Sequence, residues 1–169
     1  MPGQTFLRQS GGQLIEARGQ QTSAGAGDAN KIVALDDTGK LDETLLPTGI
    51  GPEVKLLPAS ENLAAGDYVN VWDDAGTVRV RKADATSPGK PADGFVRAAF
   101  TSGNDATVYT DGQNDQVSGM TAGDVFLSTT AGLGTNTAPS TAGNVVQRVG
   151  TAVSATEVVF ERGAPITLA

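Results

Sequence analysis

The strongest constraint on what this chain can fold into is the run from Leu63 to Lys82, where Val69 and Val71, then Val78 and Val80, alternate with polar residues. A spacing of two puts one face of each piece against a core and the other toward water, as in a half-buried strand. Between the two pieces, Asp73 supplies a side-chain acceptor for the turn backbone and Gly76 takes positive φ without steric cost. The run reads as a β-hairpin closed by a short loop ending in a bulge.

Downstream of Gly51-Pro52 the same pattern recurs in short pieces about ten residues apart. Val54 to Leu57, Gly94 to Phe100, Ala106 to Tyr109, Met120 to Ser128, Asn144 to Val153 and Glu157 to Glu161 read as strands. Loops rich in Asp, Asn, Ser, Gly and Pro separate them, and Gly163 to Leu168 reads as an edge strand because Pro165 cannot donate to a ladder. Ala65-Gly66-Asp67 before one hairpin is echoed by Ala122-Gly123-Asp124 before another, which suggests two similarly wound units packed together. Twenty-two glycines in 169 residues fit a fold built from many tight turns.

Upstream, the apolar residues form pairs without a sustained period of either kind: Phe6-Leu7, Leu14-Ile15, Ile32-Val33 with Leu35, and Leu45-Leu46. Residues without a common period cannot all face one self-made core, so this stretch reads as an arm built to be buried by something else. Asp37-Thr-Gly39 marks a turn, and residues 42–46 one helical turn stopped by Pro47. The expected organisation is an extended arm over residues 1–51 and a compact β-domain over 52–169. The expected fold class is all-β, a small antiparallel barrel or sandwich.

Composition bears on function chiefly by exclusion. The chain has no histidine and no cysteine, which removes the commonest general base, the commonest transition-metal ligand and all thiolate chemistry. A net charge of -7 with scattered Lys and Arg argues against direct nucleic-acid binding, which needs clustered positive charge. No apolar run approaches the roughly 18 residues of a membrane span, and the first residues lack a basic region followed by a hydrophobic one. The expectation is a soluble protein without a cleaved export signal.

Several local patterns stand as candidate sites. Asp111-Gly-Gln-Asn-Asp115 spaces oxygen donors like a calcium loop but lacks its central glycine and closing glutamate, and reads as an Asp/Asn-rich turn. Asp73-Asp74 at a hairpin tip reads as turn chemistry. Gly25-Ala-Gly27 lacks the lysine of a phosphate loop. Arg79, Arg81 and Lys82 read as the solvated side of a hairpin, with an anionic partner surface as the alternative. Trp72, at a strand end, reads as core or as a subunit contact. No catalytic residue, metal ligand or cofactor is expected, and the chain is not read as an enzyme.

At this point the residues carry a resemblance. Lys31-Ile-Val-Ala-Leu-Asp-Asp-Thr-Gly-Lys-Leu-Asp with Leu45-Leu-Pro47 is similar to a connecting element of tailed-bacteriophage structural proteins. Leu63-Ala-Ala-Gly-Asp-Tyr-Val-Asn-Val, Lys90-Pro-Ala-Asp-Gly-Phe-Val, Leu127-Ser-Thr-Thr-Ala-Gly and Val145-Val-Gln-Arg-Val-Gly-Thr-Ala resemble the β-domain of phage head-decoration, or capsid-cement, proteins. Related domains occur in phage tail fibres. The resemblance implies a homotrimer on the outer capsid surface, made in the host cytoplasm, with an arm spread over the major capsid protein. Phe6, Leu7, Leu14, Ile15, Ile32, Val33, Leu35, Leu45 and Leu46 are then the expected arm contacts, and Trp72 a trimer contact. The alternatives are a tail-fibre or baseplate adaptor and a small carbohydrate-binding module, the last thinly supported by one Trp and two Tyr.

Overall fold

In the computed structural model, residues 5–42, 45–46 and 53–169 are described, and the chain divides into two units, Met1–Gly51 and Pro52–Ala169. The protein is all-β: among the described residues the helical structure is confined to short 3-10 turns such as Ala26–Asp28. No helix there is long and apolar enough to cross a membrane.

The first unit opens with strands β1 (Thr5–Ser10) and β2 (Gln13–Arg18), paired antiparallel in register from Thr5↔Arg18 to Ser10↔Gln13. This hairpin is not among the strands expected from the sequence. The signal is Gly11-Gly12, whose φ values of 61° and 79° form the two-residue turn that matches strand twist. Further on, Gln20 pairs in parallel with Val33: its N–H donates to Ile32 O (2.8 Å) and its C=O accepts from Ala34 N (2.9 Å). A Cβ at Gly19 would sit 2.6 Å from that of Ala34, so the approach requires glycine.

The second unit contains β3 (Val54–Pro58), β4 (Tyr68–Asp74), β5 (Thr77–Lys82), β6 (Gly94–Val96) and β7 (Asp105–Tyr109), then β8 (Gly112–Asn114), β9 (Gly123–Leu127) and β10 (Gly134–Thr135). It ends with β11 (Val145–Val146), β12 (Arg148–Ser154), β13 (Glu157–Phe160) and β14 (Ile166–Thr167). One sheet runs β3-β7-β6-β4-β5 and the other β8-β13-β12-β9-β10, with every pairing antiparallel. The two orders are the same once β3 to β7 are matched with β8, β9, β10, β12 and β13. Each half thus consists of a leading edge strand, a hairpin and two returning strands. The Ala-Gly-Asp echo falls at the same place in both, just before or at the start of the hairpin's first strand, with Gly66 and Gly123 both at positive φ, 88° and 128°.

The halves pack face to face. Tyr68 and Phe95 from the first sheet meet Val125, Leu127, Val149, Val158 and Phe160 from the second, with Phe160 ring centroids 6.1 Å from Tyr68 and 5.5 Å from Phe95. The first sheet is apolar on its other face too: Val69, Val80, Val96 and Val108 pack under Ala59 and Leu63. Its edges curl toward each other and meet at one bridge, Ala59↔Val80, where Ser60 N donates to Val80 O (2.8 Å). A single bridge does not close a barrel, so the architecture is sandwich-like.

Local boundaries shift for identifiable reasons. The piece from Gly94 stops as a strand at Val96, because the chain bends and Phe100 pairs instead with Leu63 through two backbone bonds of 2.8 and 2.9 Å. The expected loop 111–119 contains β8, paired to β13. The β4–β5 connection has no bulge. It is a two-residue turn with Ala75 at φ 52° and Gly76 at φ 90°, and Asp73 Oδ1 accepts from Gly76 N at 3.0 Å.

Candidate functional site

The first unit is held together by backbone pairing and by two aspartate-centred turns. Asp28 accepts from Ala24 N and from Lys31 Nζ, both at 2.6 Å, and the Lys31 bond is the main reason its pKa lies below the ordinary value. Asp36 Oδ1 accepts from Thr38 N (2.8 Å), Thr38 Oγ1 (2.7 Å) and Lys40 N (2.9 Å), and its pKa is lowered chiefly by the Lys40 N–H. These polar contacts shape the turns while the apolar side chains point to solvent.

Fractional exposure shows how much of that apolar surface is left uncovered. Leu7 and Leu14 are 70% and 73% exposed, Ile32 56%, Leu35 54%, Val33 50% and Ile15 36%. Phe6, Leu45 and Leu46 are half-buried. Leu41, at 48%, belongs with the group; the reading in pairs passed over it because it stands alone after Gly39-Lys40. Within the helical turn expected over residues 42–46, Leu45 N donates to Asp42 O at 3.0 Å; residues 43, 44 and 47 lie outside the described residues, as does the Gly51-Pro52 junction. By contrast, every buried hydrophobic residue among those described lies between Ala59 and Phe160.

The other candidates have structural occupations. Asp111 Oδ1 caps Glu53 N (2.8 Å), Asn114 is fully buried and donates to Gly66 O (2.9 Å), and Asp115 is paired with Arg97. Those three side chains therefore do not converge, and among the described residues no cluster of acidic side chains is arranged to hold a metal. The basic side chains are engaged within their own half: Arg79 lies 3.1 Å from Asp74 and Lys82 Nζ 3.3 Å from Asp67, while Arg81 donates to the neutral acceptors Asn70 Oδ1 (2.9 Å) and Gly89 O (2.8 Å). The Arg79–Asp74 contact is an ion pair by distance, with the Nε–H poorly aimed for a hydrogen bond. Trp72 is half-buried under the Arg81 guanidinium, 4.5 Å from the ring centroid, and its Nε1 is shielded without a partner.

One residue that the sequence reading did not single out ties the two halves together. Gln147, fully buried, accepts from Ala92 N (2.7 Å) and donates to Ala92 O (2.8 Å) and Gly163 O (3.1 Å). A lone glutamine in an alternating stretch gives no sign of this, since its partners lie 55 and 16 positions away. Compared with models of known families, with curated proteins and with solved structures, the chain matches none.

Proposed function

We propose that this chain is a structural virion protein that decorates and stabilises the outside of a tailed-phage capsid, attaching to the major capsid protein through its first unit and assembling as a trimer. The observation that carries the reading is the exposed apolar set of the first unit, Leu7, Leu14, Ile15, Ile32, Val33, Leu35 and Leu41, about half of whose side-chain surface the fold leaves uncovered. The resemblance of residues 31–47 to a connecting element of tailed-phage structural proteins, and of the β-domain to head-decoration proteins, supplies the identity of the partner and the trimer.

Magnitudes favour several linked attachment points. Full burial of such a side chain contributes about 1.5–3 kcal/mol, and at these exposures roughly half is still available, about 5–10 kcal/mol for the set. Association costs on the order of 4–15 kcal/mol of translational and rotational freedom. One copy therefore binds weakly, and copies joined in a trimer bind together because the later attachments are intramolecular.

Two measurements test the reading. Counting this chain against the major capsid protein in purified virions should give a ratio near unity; a few copies per hundred would favour the tail-fibre or baseplate alternative, and absence would end both. Deleting residues 1–30 should abolish sedimentation with shells assembled without this chain; unchanged binding would remove the first unit from the attachment surface.

A further inference from the structure

One face of the β4–β5 hairpin gathers hydrogen-bond donors that the fold leaves short of acceptors. From the register, Trp72 stands opposite Arg79 and Asn70 opposite Arg81, so the four side chains share that face. Asn70 Oδ1 and Gly89 O hold Arg81 in place over the Trp72 ring, with bonds of 2.9 and 2.8 Å. Both acceptors are neutral and engage two of the five guanidinium N–H groups. Among the described residues Arg81 makes no ion pair.

Its neighbours lack acceptors as well. Trp72 Nε1–H and Arg79 Nε–H are both shielded from water without a hydrogen-bond partner, since Asp74 lies 3.1 Å from Arg79 Nε but off the N–H direction. A donor that has given up water and gained no acceptor is a net cost to the fold. Two such donors on directly opposed residues, beside a positioned guanidinium with N–H groups to spare, mark a place for an outside acceptor. Two guanidinium groups share this face with one carboxylate, Asp74, in a chain of 19 acidic and 12 basic residues.

We infer that this face is a subunit contact completed by a carboxylate from a second copy of the chain, an inference that rests on the trimer reading above. A carboxylate fits because its two oxygens take the N–H groups of a guanidinium in parallel, in charge-assisted bonds stronger than those to neutral acceptors. Arg79 and Arg81 are both partly exposed, so reaching them takes side-chain rotation and no change of backbone. The second copy follows from charge: this face is net positive while the rest of the chain is acidic, so the two attract each other and like faces repel. Such a contact runs head to tail, and a head-to-tail contact whose rotation closes makes a ring, here of three.

Trp72 is the only tryptophan, so its fluorescence reports this face in the unmodified full-length chain. In sedimentation velocity over a dilution series, trimer should give way to monomer, with Trp72 emission changing over the same concentrations. Arg81→Gln, and Trp72→Phe, which keeps an aromatic ring but removes the N–H, should each raise the concentration of half-dissociation about tenfold or more, with far-UV circular dichroism unchanged. A trimer that both variants preserve, and whose dissociation leaves Trp72 emission unaltered, would overturn this contact and leave the trimer standing. A chain that is monomeric at every concentration would overturn the second copy as occupant. If Arg81→Gln then lowers sedimentation with shells, the carboxylate belongs to the capsid protein; if the unmodified chain does not sediment with shells either, the capsid reading falls too.

Discussion

Two buried polar side chains in the β-domain should respond oppositely to removal, because one is satisfied and the other is not. Replacing Gln147 with Leu strands the buried N–H and C=O of Ala92, and should cost about 2–4 kcal/mol in urea or guanidinium unfolding. Tyr68 is the contrasting case: its hydroxyl is buried beside the Asn114 side chain but makes no well-formed hydrogen bond. Tyr68→Phe should therefore leave stability unchanged or raise it by about 1 kcal/mol. Burial also pushes the phenol's pKa above its ordinary value of 10.0. A raised folded value means that the stabilisation from keeping the ring neutral is complete below pH 10 and is lost as pH rises beyond it. Unfolding midpoints of the native chain should fall on that alkaline limb, and the fall should be smaller in Tyr68→Phe.

Turns decide the behaviour of the individual elements. Ala75 occupies the first position of the two-residue β4–β5 turn at φ 52°, where an L-residue with a plain methyl is strained and Asn is favoured. Ala75→Asn should stabilise the domain by about 0.5–1 kcal/mol, measured as a rise in denaturation midpoint. In the first unit, Asp28 and Asp36 have lowered pKa values because their carboxylates accept hydrogen bonds. Their contribution is present above the ordinary value of 3.8 and is lost as pH falls through the lower folded value. On acid titration the amide signals of Thr38 and Lys40, bonded to Asp36, should shift in that window. The β-hairpin of residues 63–82 was legible because alternation and turn chemistry agreed over its whole length. The β1–β2 hairpin was not, although Gly11-Gly12 marks it, because its apolar residues fall on both faces and show no alternation to read.

At the scale of the whole chain, all the buried hydrophobic residues described lie from Ala59 onward. Residues 52–169 expressed alone should fold with a melting temperature within a few degrees of the full chain, as two sheets sharing one core require no apolar contribution from the first unit. A large drop would show that the first unit is part of that core. The matching strand orders of the two halves place the Ala-Gly-Asp echo at equivalent points of the fold, each with its glycine at positive φ.

By itself the sequence determined the all-β class, the position of most strands and turns, and the apolar set without a common period upstream, because alternation and turn residues are local properties. The tertiary structure decided how those strands pair. It set the same five-strand order in each half, curled the first sheet until Ala59 met Val80, and buried Gln147 against Ala92. It also placed Phe6 and Leu7 on opposite faces of one ribbon. These arrangements depend on partners brought together from distant positions or on the register of a ladder, and a linear pattern carries neither.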